Sequence, residues 1–116
     1  MFGGKVVHGD GLGKQYGYPT ANIDCKKQHV VWGSGVYAGF AFVDRTRYKA
    51  AVAIREQPWK VEVYLIDYIG EDLYDKHIDV DLKQKVSELE RFDNTGELIE
   101  KIKRDVEMIK EMLNLT

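Results

Sequence analysis

A chain of 116 residues with 44% hydrophobic and 31% charged side chains has the size and make-up of one folded domain, and is too rich in apolar residues to read as disordered. Seventeen basic against nineteen acidic side chains give a net charge of −2, which supplies no track for a polyanion, so no nucleic-acid partner is expected. Cys25 is the one cysteine, which excludes an internal disulfide and any multi-thiolate metal site; with no long apolar run and no signal-peptide pattern in "MFGGKVVHGD", the expectation is a cytoplasmic protein without a membrane partner.

Six short runs rich in Val, Ile, Tyr and Phe follow one another with turn formers between them. They are "GKVVHG" at 4–9, "ANIDC" at 21–25, "GVYAGFAFV" at 35–43, "YKAAVAI" at 48–54, "KVEVYLID" at 60–67 and "KHIDVDL" at 76–82. The link Asp44-Arg45-Thr46 is short enough for a hairpin, so the third and fourth runs are expected to pair antiparallel. No segment between runs has the pattern of a crossover helix, which favours an antiparallel barrel or sandwich over a parallel sheet.

The period then changes. In "NTGELIEKIKRDVEMIKEML", Leu98, Ile102, Val106, Ile109 and Leu113 fall on one stripe at helical spacing, with Ile99 and Met112 beside it and Lys and Glu on the outer face. Asn94, with Glu97 three residues on, forms a capping pair. A helix of about nineteen residues is roughly 28 Å long, enough to close one side of a small barrel.

The stretch "GDGLGKQYGYPTAN" between the first two runs sets four glycines against a rigid Pro-Thr-Ala-Asn. Glycines let a backbone approach a ligand closely and present N–H groups to phosphate oxygens, and Lys14 adds a point charge. For a bare glycine-rich run, a long connection between two strands is the commoner reading, and no Gly-Lys-Ser/Thr enters a helix as a Walker A motif requires. Pro19 fixes the chain before Thr20, and Asn22 lies two residues on, so both side chains leave the same side of an extended segment. Two neutral oxygens there suit a hydrated Mg²⁺ that also takes phosphate oxygens; for an isolated Thr and Asn, hydrogen bonding within a turn is the commoner role.

Taken together, "GKVVHGDGLGKQYGYPTANI" at 4–23, "GVYAGF" at 35–40, "VEVYLIDYIGEDLY" at 61–74 and "RFDNTGELIEKIKRD" at 91–105 closely resemble the riboflavin kinase family, over nearly the whole chain and in the same order. The resemblance implies one riboflavin kinase-like domain over residues 1–116, folded as a six-stranded antiparallel Greek-key β-barrel with a C-terminal α-helix packed on it. It implies a riboflavin kinase that moves the γ-phosphate of ATP to the 5′-hydroxyl of riboflavin, giving FMN and ADP. A divalent cation is implied too, Mg²⁺ first among several possible metals. By the same resemblance Thr20 and Asn22 meet metal and phosphates, while Gly11, Gly13, Lys14 and Gly17 belong to the nucleotide-binding loop. Tyr74 and Phe92 join Glu62 at the flavin. A monomer is expected, with riboflavin, FMN, ATP and ADP as its ligands.

Glu62 alternates with Val61 and Val63, so its carboxylate lies on the face opposite two apolar neighbours. A lone strand Glu is usually just solvated. Phosphoryl transfer, however, needs one residue to orient the attacking hydroxyl and take its proton, and the family sets its base in a corresponding Glu-x-His/Tyr-like strand position, so Glu62 is the candidate. His8, His29 and His77 are scattered without metal-ligand spacing. Trp32 and Trp59 suit either core or flavin rim, and Asp67, Asp72 and Asp75 read as a charged bend.

The sequence departs from the family in three places. "VAIREQPWKVE" is shorter than the usual segment between the fourth and fifth strands and lacks its Asn-Ile-Gly…Pro-Thr-like pattern, so a water-excluding lid is expected to be reduced or built differently. Asp75 stands where glycine is usual after Asp72-Leu73-Tyr74, and "VSELERF" replaces an Arg-Pro-Glu-like run, removing a basic contact near the C-terminal region. No adenylyltransferase module is present, so FMN is the expected end product. Two other classes compete: a non-catalytic flavin- or nucleotide-binding barrel on the same scaffold, and a small β-barrel interaction module.

Overall fold

The computed structural model describes residues 1–7, 17–70 and 72–114. Six strands close into a barrel: β1 (Phe2–Val7), β2 (Ala21–Asp24), β3 (Gly35–Val43), β4 (Thr46–Glu56), β5 (Trp59–Leu65) and β6 (His77–Ser87), followed by one long helix, α1 (Thr95–Leu113). The order around the barrel is β1-β2-β5-β4-β3-β6 and every pairing is antiparallel, so the chain skips from β2 to β3 and returns to β2 through β5. A single 3₁₀ turn, Lys27–His29, lies between β2 and β3.

All six expected runs form strands over their described residues, with shifted ends; residues 8 and 9 of the first run lie outside the described residues. β1 starts two residues early because Phe2, Gly3 and Gly4 pair with Val80, Asp79 and Ile78. β6 runs on to Ser87 because the nine-residue β3 still offers partners there: Ala38 opposes Gln84, Tyr37 opposes Lys85 and Val36 opposes Ser87, with register shifts at Val36/Tyr37 and Ala38/Gly39. The β3–β4 hairpin forms as expected. Val43 pairs with Thr46, and Asp44 and Arg45 take φ of +49° and +69°, the two positive values that a twisted two-residue turn demands.

Alternation sorts the side chains into two cores. Val52 and Ile54 of β4, Val61 and Val63 of β5, and Ile78 and Val80 of β6 fill the barrel. Ala38 and Phe40 of β3 point outward, where Val106, Ile109 and Leu113 of α1 cover them together with Ile66. β3 is therefore buried on both faces, which is why its sequence is an unbroken apolar run. Asn94 caps α1 through its side-chain oxygen, which accepts from Gly96 N at 2.7 Å and Glu97 N at 3.3 Å.

Both tryptophans belong to the packing at the barrel rim. Trp59 Nε1 donates to the Cys25 carbonyl at 2.7 Å, and Trp32 sits edge-on to Tyr37 at 5.3 Å. The β4–β5 connection is a two-residue turn, Gln57–Pro58, with Glu56 paired to Trp59. Arg55 and Glu56 lie within β4 and Trp59 begins β5, so this segment forms no lid. Asp75 adopts φ +69°, the left-handed conformation that a glycine at that place would take, so the turn before β6 survives the substitution. No described helix is long and apolar enough to cross a membrane.

Candidate active site

The site forms where β2 meets β5. Ala21 and Ile23 point into the barrel, so Thr20 and Asn22 point out; Val61 and Val63 point in, so Glu62 and Tyr64 point out. The register sets Asn22 directly opposite Glu62. Thr20 Oγ1 then donates to Glu62 Oε2 at 3.0 Å, and Lys60 Nζ lies 3.9 Å from Glu62 Oε1. A carboxylate held between a hydroxyl and an ammonium, with its side chain 18% exposed, is far from the freely solvated strand Glu of the bland reading.

Asn22 is buried, and its Oδ1 has no hydrogen-bond partner among the described residues. A buried amide oxygen left without a donor is costly, and the cost is recovered when a ligand supplies the missing contact. Among the described residues no cluster of three or more His, Cys, Asp or Glu side chains could hold a metal by itself. Thr20 and Asn22 offer hard, neutral oxygens of the kind a divalent cation accepts when a phosphate and water complete its shell.

Two cavities flank this strand pair. The larger, about 470 Å³, is lined by Gly17, Pro19, Thr20 and Asn22 on one side and by Tyr68, Asp72 and Tyr74 on the other. The smaller, about 240 Å³, lies between the barrel and α1, with Glu62, Arg55, Phe92, Leu98 and Ile102 in its wall. Thr20 and Tyr64 belong to both. Tyr18 packs edge-on to Tyr64 at 5.5 Å. Burial, with smaller contributions from Tyr18 and Asp67 against the opposing charge of Lys110, pushes the Tyr64 phenol above its ordinary value, so the partition between the cavities is a neutral ring.

The structure thus brings Thr20, Asn22 and Glu62 together and sets Phe92 in the same cavity as Glu62. Tyr74 is 46% exposed and lines the larger cavity, apart from Phe92. Gly17 has φ +85°, a Cβ added there would meet no other described residue within 4 Å, and it lines the larger cavity. Gly11, Gly13 and Lys14 lie outside the described residues, as does His8. Sequence reading missed the inward pair Lys101 and Asp105, for it set the lysines of α1 on the outer face and gave Asp105 no place; both are buried and line the smaller cavity. The signal was their i, i+4 spacing beside the apolar stripe, one residue from Ile102 and Val106.

Known proteins resemble the chain along its whole length. A sequence model of the riboflavin kinase (Flavokinase) family matches residues 1–113. The bifunctional riboflavin kinase/FMN adenylyltransferase of Escherichia coli K12 is 39% identical over 125 residues, covering 97% of this chain and 38% of that protein. The RNA-binding riboflavin kinase RibR of Bacillus subtilis is 30% identical over 122 residues, covering 99% of this chain and 52% of that protein. In structure, the riboflavin kinase of Trypanosoma brucei superposes with a TM-score of 0.78 at 27% identity, covering 97% of this chain and 76% of that one. The chain therefore spans little more than a third of the length of the bifunctional relative. With a barrel, a helix and a sequence that agree from end to end, the chain belongs to the riboflavin kinase family.

Proposed function

We propose that the chain is an ATP-dependent riboflavin kinase that transfers the γ-phosphate of ATP to the riboflavin 5′-hydroxyl, releasing FMN and ADP. The observation that carries this is the hydrogen bond from Thr20 to Glu62 at a wall shared by two cavities. A loose phosphoryl-transfer transition state is stabilised mainly by positioning and charge, and Glu62 lines one cavity while its hydrogen-bond partner Thr20 lines both. Riboflavin takes the smaller cavity, with its alcohol at Glu62. As the new oxygen–phosphorus bond forms and the bond to ADP breaks, Glu62 takes the alcohol proton.

The nucleotide takes the larger cavity. Thr20 and Asn22 would hold the divalent cation, Mg²⁺ by preference, whose chemistry is to neutralise charge gathering on the phosphates. Thr20 can offer a lone pair toward that side while its O–H donates to Glu62, and Asn22 Oδ1 has no competing contact among the described residues. One chain builds both cavities, so a monomer suffices. The RNA binding named for RibR is not carried over, because a net charge of −2 gives no basic track and nearly half of that relative lies outside the match.

Incubation with riboflavin, ATP and Mg²⁺, followed by chromatographic separation of the flavins, should yield FMN with one ADP formed per FMN. No FMN above background with any of several nucleotides and metals overturns the reading. The two-residue Gln57–Pro58 turn, which leaves the β4–β5 segment too short to act as a lid, favours as a second reading a barrel that binds flavin or nucleotide without turnover. Tight riboflavin binding with no product would select it.

A further inference from the structure

The charged side chains around the smaller cavity differ sharply in burial. Arg55 and Glu90 are exposed, and Glu62 stands at the shared wall. Lys101 and Asp105, one turn apart on α1, are 8% and 9% exposed and have no part in the chemistry derived above. Lys101 Nζ donates to Asp105 Oδ2 at 2.7 Å and to Ser87 Oγ at 2.9 Å, and Ser87 Oγ donates to the same Asp105 oxygen at 3.0 Å. This closed triangle leaves Asp105 Oδ1 and one Lys101 proton without a partner among the described residues.

Docking a helix does not require such a group. Apolar residues of similar volume usually hold a helix as well as a buried ion pair or better, because desolvating two charges offsets their attraction. An ammonium and a carboxylate side by side, each with capacity to spare and both lining a cavity, are suited to a ligand edge that offers acceptor and donor in adjacent positions.

We propose that Lys101 and Asp105 read the pyrimidinedione edge of the flavin and so set its orientation in the smaller cavity; this inference rests on the riboflavin kinase reading. The flavin tail must reach Glu62 on β5, so its ring system lies toward α1 across the cavity. The ring has a dimethylbenzene edge without hydrogen-bonding groups and an opposite edge that presents carbonyl, N3–H and carbonyl. Phe92, Leu98, Ile102 and Val106 give the cavity an apolar wall for the body of the ring system. Asp105 Oδ1 accepts from N3–H and Lys101 donates to a neighbouring carbonyl, matching the polar edge.

The test compares riboflavin with N3-methylriboflavin, which cannot donate from N3, by fluorescence titration of the full chain. The wild-type protein should bind the methylated flavin about tenfold to hundredfold more weakly, the range expected for losing a hydrogen bond to a charged group. Because removing one partner strands the other charge, the decisive variant is the neutral double substitution Lys101→Met with Asp105→Leu, which keeps α1 packed. It should melt at or above the wild-type temperature, bind riboflavin about tenfold or more weakly, and no longer distinguish the two flavins. Equal binding of both flavins by the wild type, or an unchanged preference in the double variant, overturns the inference and leaves the kinase reading standing. Failure of the wild type to bind riboflavin at all overturns both.

Discussion

Thr20 and Glu62 lie 42 positions apart in the sequence and meet through a hydrogen bond of 3.0 Å, from the hydroxyl of the residue just before β2 to a carboxylate oxygen in the middle of β5. The contact is a product of register: Asn22 faces Glu62 across the β2–β5 pair, and two residues of alternation bring Thr20 onto the same face.

That relationship makes Glu62→Gln the sharpest test of catalysis. The amide keeps the shape of the side chain and can still accept from Thr20, but it cannot take a proton. FMN formation should fall by about 10²- to 10⁴-fold in kcat, the usual contribution of a general base, while ATP still raises the melting temperature as in the wild type. Turnover within a few-fold of wild type would show that Glu62 is not the base.

Asn22→Leu separates stability from function. The substitution removes a buried oxygen that has no partner among the described residues, so the ligand-free protein should gain about 1 kcal/mol and melt at least as high as wild type. The same variant should lose the stabilisation that Mg²⁺ and ATP confer, about 2.7 kcal/mol at a hundredfold excess over Kd. Melting curves with and without Mg²⁺-ATP measure both effects, and an undiminished ligand shift would remove Asn22 from the site.

Gly39→Ala tests the strand packing that supports the site. A methyl group there would sit 2.5 Å from the Asp81 carbonyl oxygen and 3.0 Å from Leu82 Cα, at the register shift between β3 and β6. We expect a loss of about 1–3 kcal/mol and a Tm lower by roughly 4–12 °C. Gly33→Ala, whose methyl would meet only Glu56 Oε1 at 3.5 Å, should change Tm little and serves as the control.

Alkaline pH should weaken the fold through two groups. Burial, aided by the Asp24 charge, holds the Cys25 thiol above its ordinary value of 9.0, and burial does the same for the Tyr64 phenol above 10.0. A folded-state pKa above the unfolded one contributes stability that is intact below the unfolded value and is lost as pH rises through the folded one. Tm should therefore hold near pH 8 and decline from about pH 9 upward, with Cys25→Val removing the earlier part of the decline. A flat profile to pH 11 would contradict both assignments. In the native state Cys25 should also react with a thiol reagent much more slowly than in urea.

Much of this was legible in the sequence because it rests on period. Alternating Val61, Glu62 and Val63 separate the barrel interior from the face that carries the candidate site, and the stripe from Leu98 to Leu113 marks the covering helix. Pro19-Thr20-Ala21-Asn22 places two oxygens on one side for the same reason. What stayed hidden depends on contacts between distant segments. The pairing of Asn22 with Glu62 comes from strand order, which no local pattern encodes. Lys101 and Asp105 look like surface charges until Ser87, at the unexpectedly long end of β6, completes their triangle. Tyr64 acquires its place between the cavities only once β2 lies beside β5.

Thr20 and Tyr64 line both cavities, so the two compartments share a boundary. Two molecules lodged in those compartments would touch the same two side chains. Occupancy of one compartment is then felt in the other through a common pair of side chains, without any movement of the barrel strands.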